Sequence, residues 1–491
     1  MFNQNILLIL IFLPLISILI LIFLKDEKLI KNISIFNSFF IFILSLFLWI
    51  FFNKSTSNFQ FLIEFNWIHY FNINFFLGID GISLFFIILT TFLIPLCMLI
   101  SYESINKNIK EYFILYFILE FSLIISFSVL DLLIFYIFFE SVLIPMFLII
   151  SIWGSRERKI KASYLFFIYT LGGSLFMFIA IIHLLITTGT TDYQILLYKK
   201  LNYSYEKLYW FAFFLSFAVK VPMLPFHIWL PEAHVEAPTS GSVLLAGILL
   251  KLGSYGMLRF LIPLFPQASL YFCPLVFLIA SISIIYASLT AIRQTDLKKI
   301  IAYASVAHMN FIILGLFSAT LQGIEGSIIQ MISHGLISSG LFFSIGCLYD
   351  RYHTRFIFYY GGLSHTMPIF SIFLFIYILA NISIPGSSSF VGELLILIGI
   401  FNYNTVISIF ALIGMFLGGI YSLLFYNRIC FGNIKNIYLK IFYDLTYREF
   451  IIHCILIFNI FLLGIYPTIF ESCLHESILK LIIHIEYSHF T

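Results

Sequence analysis

Apolar runs of about 20 residues recur along the entire chain, separated by short polar or proline-bearing segments. At about 1.5 Å of helical rise per residue, such a run crosses a hydrocarbon layer about 30 Å thick. The pattern predicts an all-α polytopic membrane protein with about fourteen transmembrane helices. The predicted spans are 5–24, 33–52, 82–100, 112–129, 132–151, 162–187, 208–228, 240–262, 271–291, 299–318, 326–348, 368–400, 404–427 and 450–468. The run 368–400 is too long for one straight span. Between 53 and 80 the period changes to two, with Phe59, Phe61, Ile63, Phe65 and Trp67 alternating, which predicts a short extended segment on the outer side. The tail ESCLHESILKLIIHIEYSHFT reads as an interfacial amphipathic helix. The first 28 residues lack a basic leader and a small-residue cleavage site, so they read as a retained helix with no import presequence before it.

Two spans are interrupted. The seventh contains VPMLP (Pro222, Pro225) and the twelfth IPGSSS (Pro385, Gly386). Each break adjoins one ionisable residue, Lys220 in the first and Glu393 in the second. The breaks lie five spans apart, so equivalent five-helix units would have opposite orientations, as in inverted-repeat transporters. The predicted organisation is three N-terminal helices with an outer loop (1–100), a first five-helix repeat with its broken helix near 220–225 (112–262), a second with its broken helix near 384–390 (271–428), and a last helix with the tail (429–491). Prolines that merely kink two helices are the competing explanation.

Composition agrees with a membrane protein: of 491 residues 62% are apolar and 10% charged, and the mean hydropathy is +1.06. The abundance of Phe, Ile, Leu, Asn and Tyr suggests an AT-biased coding genome, as in an organelle or a reduced bacterium. Loops after odd-numbered spans hold most of the cations: Lys25, Lys28, Lys31, Lys107, Lys110, Arg156, Arg158, Lys159, Lys161, Arg293, Lys298, Lys299, Arg351, Arg355, Arg428, Lys435, Lys440 and Arg448. Loops after even-numbered spans hold only Lys54, Lys199, Lys200, Lys207 and Arg259. The positive-inside rule puts the odd-numbered loops in the cytoplasm or matrix and both termini on the opposite side.

Ionisable residues inside the spans carry the functional signal: Glu120, Glu140, His183, Lys220, Lys251, His308, His334 and Glu393. A charge at mid-bilayer costs roughly 2.5–3.5 kcal/mol, so Glu140, Lys220, Lys251 and Glu393 together cost on the order of 10–14 kcal/mol. A purely structural core does better with leucine. A buried lysine whose carboxylate partner comes and goes switches between holding and releasing a proton, and Glu140 is the candidate partner of Lys220. His308 and His334 suit a relay between such sites. Gly241, Ala246, Gly247, Gly253 and Gly256 would allow close packing around Lys251. For each of these residues a structural salt bridge or a hydrogen-bonded core position is the blander alternative.

Other chemistries find little support. The six cysteines are scattered without a C-x-x-C pair, and no phosphate-cradling glycine loop follows a strand pattern. Glu232, His234 and Glu236 alternate in PEAHVEAP, but they lie at an aqueous boundary and no second ligand cluster accompanies them, so no metal is expected.

FAVKVPMLPFHIWLPEAHVEAPTSGSVLLAGILLKLGSYGMLRF strongly resembles the chain 4 family of respiratory NADH–ubiquinone oxidoreductase (complex I), which is related to multisubunit Na+/H+ antiporters. LGIDGISL, LDLLIFYIFFESVLIPMF, LKKIIAYASVAHMNF, GSIIQMISHGLISSGLFF, LYDR, GGLSHTMP and FVGE extend the resemblance over roughly 75–430. It implies a fourteen-helix fold with two inverted five-helix repeats and a lateral polar axis. Glu140 and Lys220 match the family's input pair, Lys251 its central lysine, His308 and His334 the connecting histidines, and Glu393 the distal glutamate. Ser387 stands where the family commonly has threonine, and Glu325 where it usually has a small residue.

The resemblance further implies proton translocation by an antiporter-like membrane-arm subunit with no redox centre or cofactor of its own. NADH, FMN, Fe–S clusters and ubiquinone belong to the parent complex. The implied partners are other membrane-arm subunits, especially neighbouring antiporter-like ones, and membrane lipids, with no nucleic acid. The implied location is the mitochondrial inner membrane, the bacterial plasma membrane being the alternative. A sodium/proton antiporter component and a purely architectural subunit remain the rival readings.

Overall fold

The computed structural model describes residues 2–68, 72–435 and 443–490, with side chains from 5 to 486 within those ranges. Lys440, among the loop cations counted above, lies outside the described residues. The helices in chain order are α1 (Phe2–Phe23), α2 (Glu27–Phe51), α3 (Gly81–Ser104), α4 (Ile109–Ser128), α5 (Leu132–Ser141), α6 (Leu143–Trp153), α7 (Lys159–Thr188), α8 (Tyr193–Tyr198), α9 (Tyr203–Lys220), α10 (Trp229–Glu236), α11 (Thr239–Leu244), α12 (Leu250–Gly256), α13 (Ile262–Leu264), α14 (Pro266–Arg293), α15 (Leu297–Phe317), α16 (Leu321–Tyr352), α17 (Leu363–Thr366), α18 (Pro368–Asn381), α19 (Ser388–Tyr403), α20 (Thr405–Cys430), α21 (Tyr447–Ile465) and α22 (Thr468–Phe490). The extended segment expected before α3 is an antiparallel hairpin, β1 (Gln60–Ile68) with β2 (Ile73–Ile79).

Among the described residues twelve helices, taking α5–α6 and α11–α13 each as one continuous run, are long and apolar enough to cross a membrane. They correspond to twelve of the predicted spans. The other two predicted spans, 208–228 and 368–400, are the ones that break. The first stops at Lys220, passes Val221–Pro225 and resumes as a 3-10 turn (Phe226–Ile228) leading into α10. The second stops at Asn381 and restarts at Ser388, with Ser383 and Gly386 at positive φ (64° and 96°) in the gap. The predicted span 132–151 also divides, into α5 and α6. Pro145 has no N–H to offer the Ser141 carbonyl, and its ring crowds that oxygen, so the helix breaks one residue after Glu140.

By contacts the chain forms two units: Met1–Val221 with Ile248–Cys273 and Ser472–Thr491, and Pro222–Gly247 with Pro274–Glu471. Both have membrane-protein polarity. In the first, Ile186 on α7 is 75% exposed whereas Lys251 on α12 is fully enclosed; in the second, Phe416 on α20 is 72% exposed whereas Glu393 on α19 is 3% exposed. Water-soluble proteins arrange such residues the other way round.

One local device occurs in each unit. Asp131 caps α5, accepting from Leu133 N and Ile134 N, and bridges to Asp192 through Leu132 N→Thr191 O (3.0 Å) and Tyr193 N→Leu130 O (2.9 Å). Asp296 caps α15, accepting from Lys298 N, and bridges to Phe356 through Leu297 N→Arg355 O and Ile357 N→Thr295 O (both 2.9 Å). In both cases the start of a helix is stapled to the segment that follows a long neighbouring span.

The first unit also holds the tail. Ser477 Oγ accepts from Gly81 N at 3.3 Å, and a Cβ on Gly81 would fall inside the radius of the Cys473 carbonyl oxygen. Gly81→Ala is therefore expected to push α22 off α3 at a cost of about 1–3 kcal/mol. Faster proteolysis within 472–490 in isolated membranes checks this; an unchanged cleavage rate contradicts it.

Candidate functional site

Lys220 is the last residue of α9, 2% exposed. Its ammonium donates to Phe139 O at 3.3 Å and lies 4.1 Å from the Phe139 ring centroid. The next residue along α5 is Glu140. Its carboxylate is an electrostatic neighbour of Lys220, yet neither oxygen has a hydrogen-bond partner. Ser174 faces it from α7 but spends its hydroxyl on Leu171 O at 2.9 Å. Ion pairs close elsewhere, at Arg259–Asp80, Lys299–Glu232 and Arg351–Glu449. Lys220 and Glu140 thus sit close without closing a direct pair, an arrangement in which a small displacement changes how strongly each carries charge.

Lys251 lies in α12, which is flanked by π-helical turns at Leu245–Leu249 and Met257–Leu261. Such turns are frequent at functional sites. Glycines bring this helix against α9: a Cβ on Gly253 would meet Val221 Cγ2 at 2.7 Å and Lys220 Cβ at 3.1 Å, and one on Gly256 would strike the Phe217 ring. The backbone bearing Lys251 therefore lies directly on the backbone bearing Lys220.

The second unit gathers the other three residues. His308 on α15 shares a hydrogen bond between Nδ1 and Glu393 Oε1 at 3.1 Å, and Gln330 Nε2 donates to the same oxygen at 2.9 Å. The His308 and His334 rings lie 5.7 Å apart between centroids. A Cβ on Gly392 would strike Gln330, so glycine is what lets α19 reach α16. A small cavity of about 20 Å³ lies beside His308 and Glu393, bounded further by Ser288, Asn381 and Tyr421. Gln330 was missed by sequence reasoning; the available signal was a polar amide in an apolar span one turn before His334.

The six candidates are thus brought together as two groups, Glu140–Lys220–Lys251 and His308–His334–Glu393. Of the remaining intramembrane ionisable residues, Glu120 is wholly buried with both carboxylate oxygens unpartnered, and His183 Nδ1 lies 2.5 Å from the Tyr209 hydroxyl.

Residues 129–418, carrying all six, match the family described as NADH:quinone oxidoreductase/Mrp antiporter, and residues 8–126 match NADH-ubiquinone oxidoreductase chain 4, amino terminus. The chain belongs to the NADH-ubiquinone oxidoreductase chain 4 family. Chain 4 of Marchantia polymorpha is 57% identical over 97% of this chain and 96% of its own length. Chain 4 of Arabidopsis thaliana is 55% identical over 96% of each. A chain in the solved structure of respiratory complex I from Thermus thermophilus with bound NADH superposes with a TM-score of 0.89 at 27% identity, covering 98% of this chain and 99% of that one. Chain 4 membership agrees with the multi-pass helical architecture.

Proposed function

We propose that this chain is a proton-translocating, antiporter-like subunit of the membrane arm of NADH:ubiquinone oxidoreductase. It contributes no redox centre: NADH, FMN, Fe–S clusters and ubiquinone act elsewhere in the complex, and quinone reduction supplies the energy. It resides in the mitochondrial inner membrane beside other antiporter-like subunits, with both termini on the intermembrane-space side. The helices form two inverted five-helix repeats, 112–262 and 271–428, each with one broken helix. The matching Asp131 and Asp296 staples support a duplication, since two unrelated halves have no reason to repeat that device.

In this reading Glu140 and Lys220 receive the electrostatic stroke, and protonation changes pass by Lys251, His308 and His334 to Glu393. The observation that carries it is the buried, unpartnered Glu140 carboxylate beside the buried Lys220 ammonium. A structural pair would close, because an open pair bears the desolvation cost of both charges without the compensating contact. An architectural subunit has no use for that cost.

Glu393→Gln tests the reading at the other end. The amide keeps the volume and a hydrogen bond to His308 but cannot hold the proton. Complex carrying it is expected to assemble and to pump protons roughly tenfold more slowly or worse in proteoliposomes, with Glu393→Asp recovering part of the rate. Normal pumping by the Gln variant would refute the role. Sodium-dependent flux with no NADH-linked activity would instead favour the antiporter reading.

A further inference from the structure

The PEAHVEAP segment is absorbed by none of the roles above, yet the second unit builds a charged cluster around it. Lys298, 2% exposed at the start of α15, donates to Ala237 O at 2.7 Å and to Ser242 Oγ at 3.2 Å. Arg355, fully buried, donates to Val235 O. The two cations therefore cap the C-terminal end of α10, where the helix dipole places partial negative charge. Glu236 closes that helix, 2% exposed, and its Oε2 has no hydrogen-bond partner. The groups in electrostatic range of Lys298 are Arg355, Asp296, Glu236 and Asp350. Asp296 is committed to its helix cap, and Asp350 also neighbours Arg351, Arg448 and Glu449. Glu236 is the carboxylate of the cluster with a buried oxygen left unpartnered.

A polar line leads inward from there. On α15, Ser305 follows Lys298 by seven residues and His308 follows Ser305 by three, spacings that keep all three on one helix face over about 15 Å. Ser305 is 1% exposed with its hydroxyl unpartnered, and His308 Nε2 is likewise buried and unpartnered. Unsatisfied buried polar groups are rare, and bound water is the group that satisfies several at once.

We infer that Glu236, held between Lys298 and Arg355, is a proton-loading carboxylate on the cation-rich side of the second unit, and that Ser305 and bound water carry its proton along α15 to His308. A proton from water adds to Glu236 Oε2. It passes through water to Ser305, whose hydroxyl releases its own proton onward to His308 Nε2, and the Nδ1 proton of His308 moves to Glu393. No electrons move; Glu236 and Ser305 are restored, while His308 is left as the opposite tautomer and Glu393 protonated until Glu393 discharges its proton and the imidazole reorients. This inference rests on the relay proposed above and supplies its second unit with an uptake point of its own.

The test is NADH-driven proton uptake by proteoliposomes containing the intact complex with this subunit altered. Glu236→Gln is expected to lower uptake at least fivefold with assembly retained, and Glu236→Asp to recover a substantial part. Ser305→Ala is expected to lower it severalfold and Ser305→Thr, which keeps the hydroxyl, to leave it near normal. Ser305 makes no hydrogen bond that assembly could miss, so the Ala/Thr contrast decides the matter if the Glu236 variants fail to assemble. Normal uptake by Ser305→Ala, or by assembled Glu236→Gln, overturns the loading path. Lys220→Ala measured alongside separates the two readings: if it abolishes uptake while these variants do not, only the loading path falls, and if it too pumps normally, the relay itself falls.

Discussion

Lys220→Ala is expected to yield a complex that assembles normally and loses proton-coupled NADH:ubiquinone turnover by roughly tenfold or more. Assembly should survive because Lys220 makes a single long hydrogen bond, to Phe139 O at 3.3 Å, and closes no ion pair. Removing a buried ammonium also removes its desolvation cost, and the Glu140 carboxylate can take a proton instead of remaining as an isolated charge. What alanine cannot do is alternate between charged and neutral. Lys220→Arg sharpens the point, since a guanidinium keeps the positive charge but does not release its proton. If charge alone mattered, Arg would restore turnover. Turnover is expected to remain low.

Asp80→Ala is expected to cost more in stability than any change at the relay. Asp80 caps α3 with a reciprocal Ser83 capping box and pairs with Arg259, whose guanidinium lies among Phe59, Tyr193 and Tyr255. Both partners are about 5% exposed. Deleting one leaves an uncompensated buried charge, a loss of about 3–5 kcal/mol, and removing the cap adds about 1 kcal/mol. The subunit should fall sharply in abundance in immunoblots of isolated membranes. The double variant Asp80→Ala with Arg259→Met removes both charges and should recover much of that loss. Equal abundance of Asp80→Ala and the unaltered chain would contradict the burial argument.

Much of this was legible in the sequence for physical reasons. Hydrocarbon thickness sets the length of a span, so the helices could be counted, and prolines at 222, 225 and 385 marked the breaks because they cannot donate to a helix. Lys220, Lys251 and Glu393 stood out through their insertion cost alone. The break at Ser141–Val142 was equally available from Pro145, but a single proline in a 20-residue apolar run also fits an unbroken span. Gln330 escaped because amides carry no charge and draw little notice in a hydropathy pattern. The open Glu140–Lys220 geometry and the sharing of one Glu393 oxygen between His308 and Gln330 depend on how separate helices approach, which one-dimensional spacing does not contain. The alternation of Glu232, His234 and Glu236 suggested at most a metal set; it did not reveal that two buried cations from distant segments, Lys298 and Arg355, bind the backbone carbonyls on either side of Glu236.

The central claim is that protons move through this chain by changes at Lys220. The most direct measurement is proton uptake per NADH oxidised, followed with a pH-sensitive dye in proteoliposomes holding complex with Lys220→Ala at unaltered subunit composition. Uptake is expected to fall with the loss of coupled turnover and not to be restored by Lys220→Arg. Uptake per NADH and turnover both equal to those of the unaltered complex would contradict it.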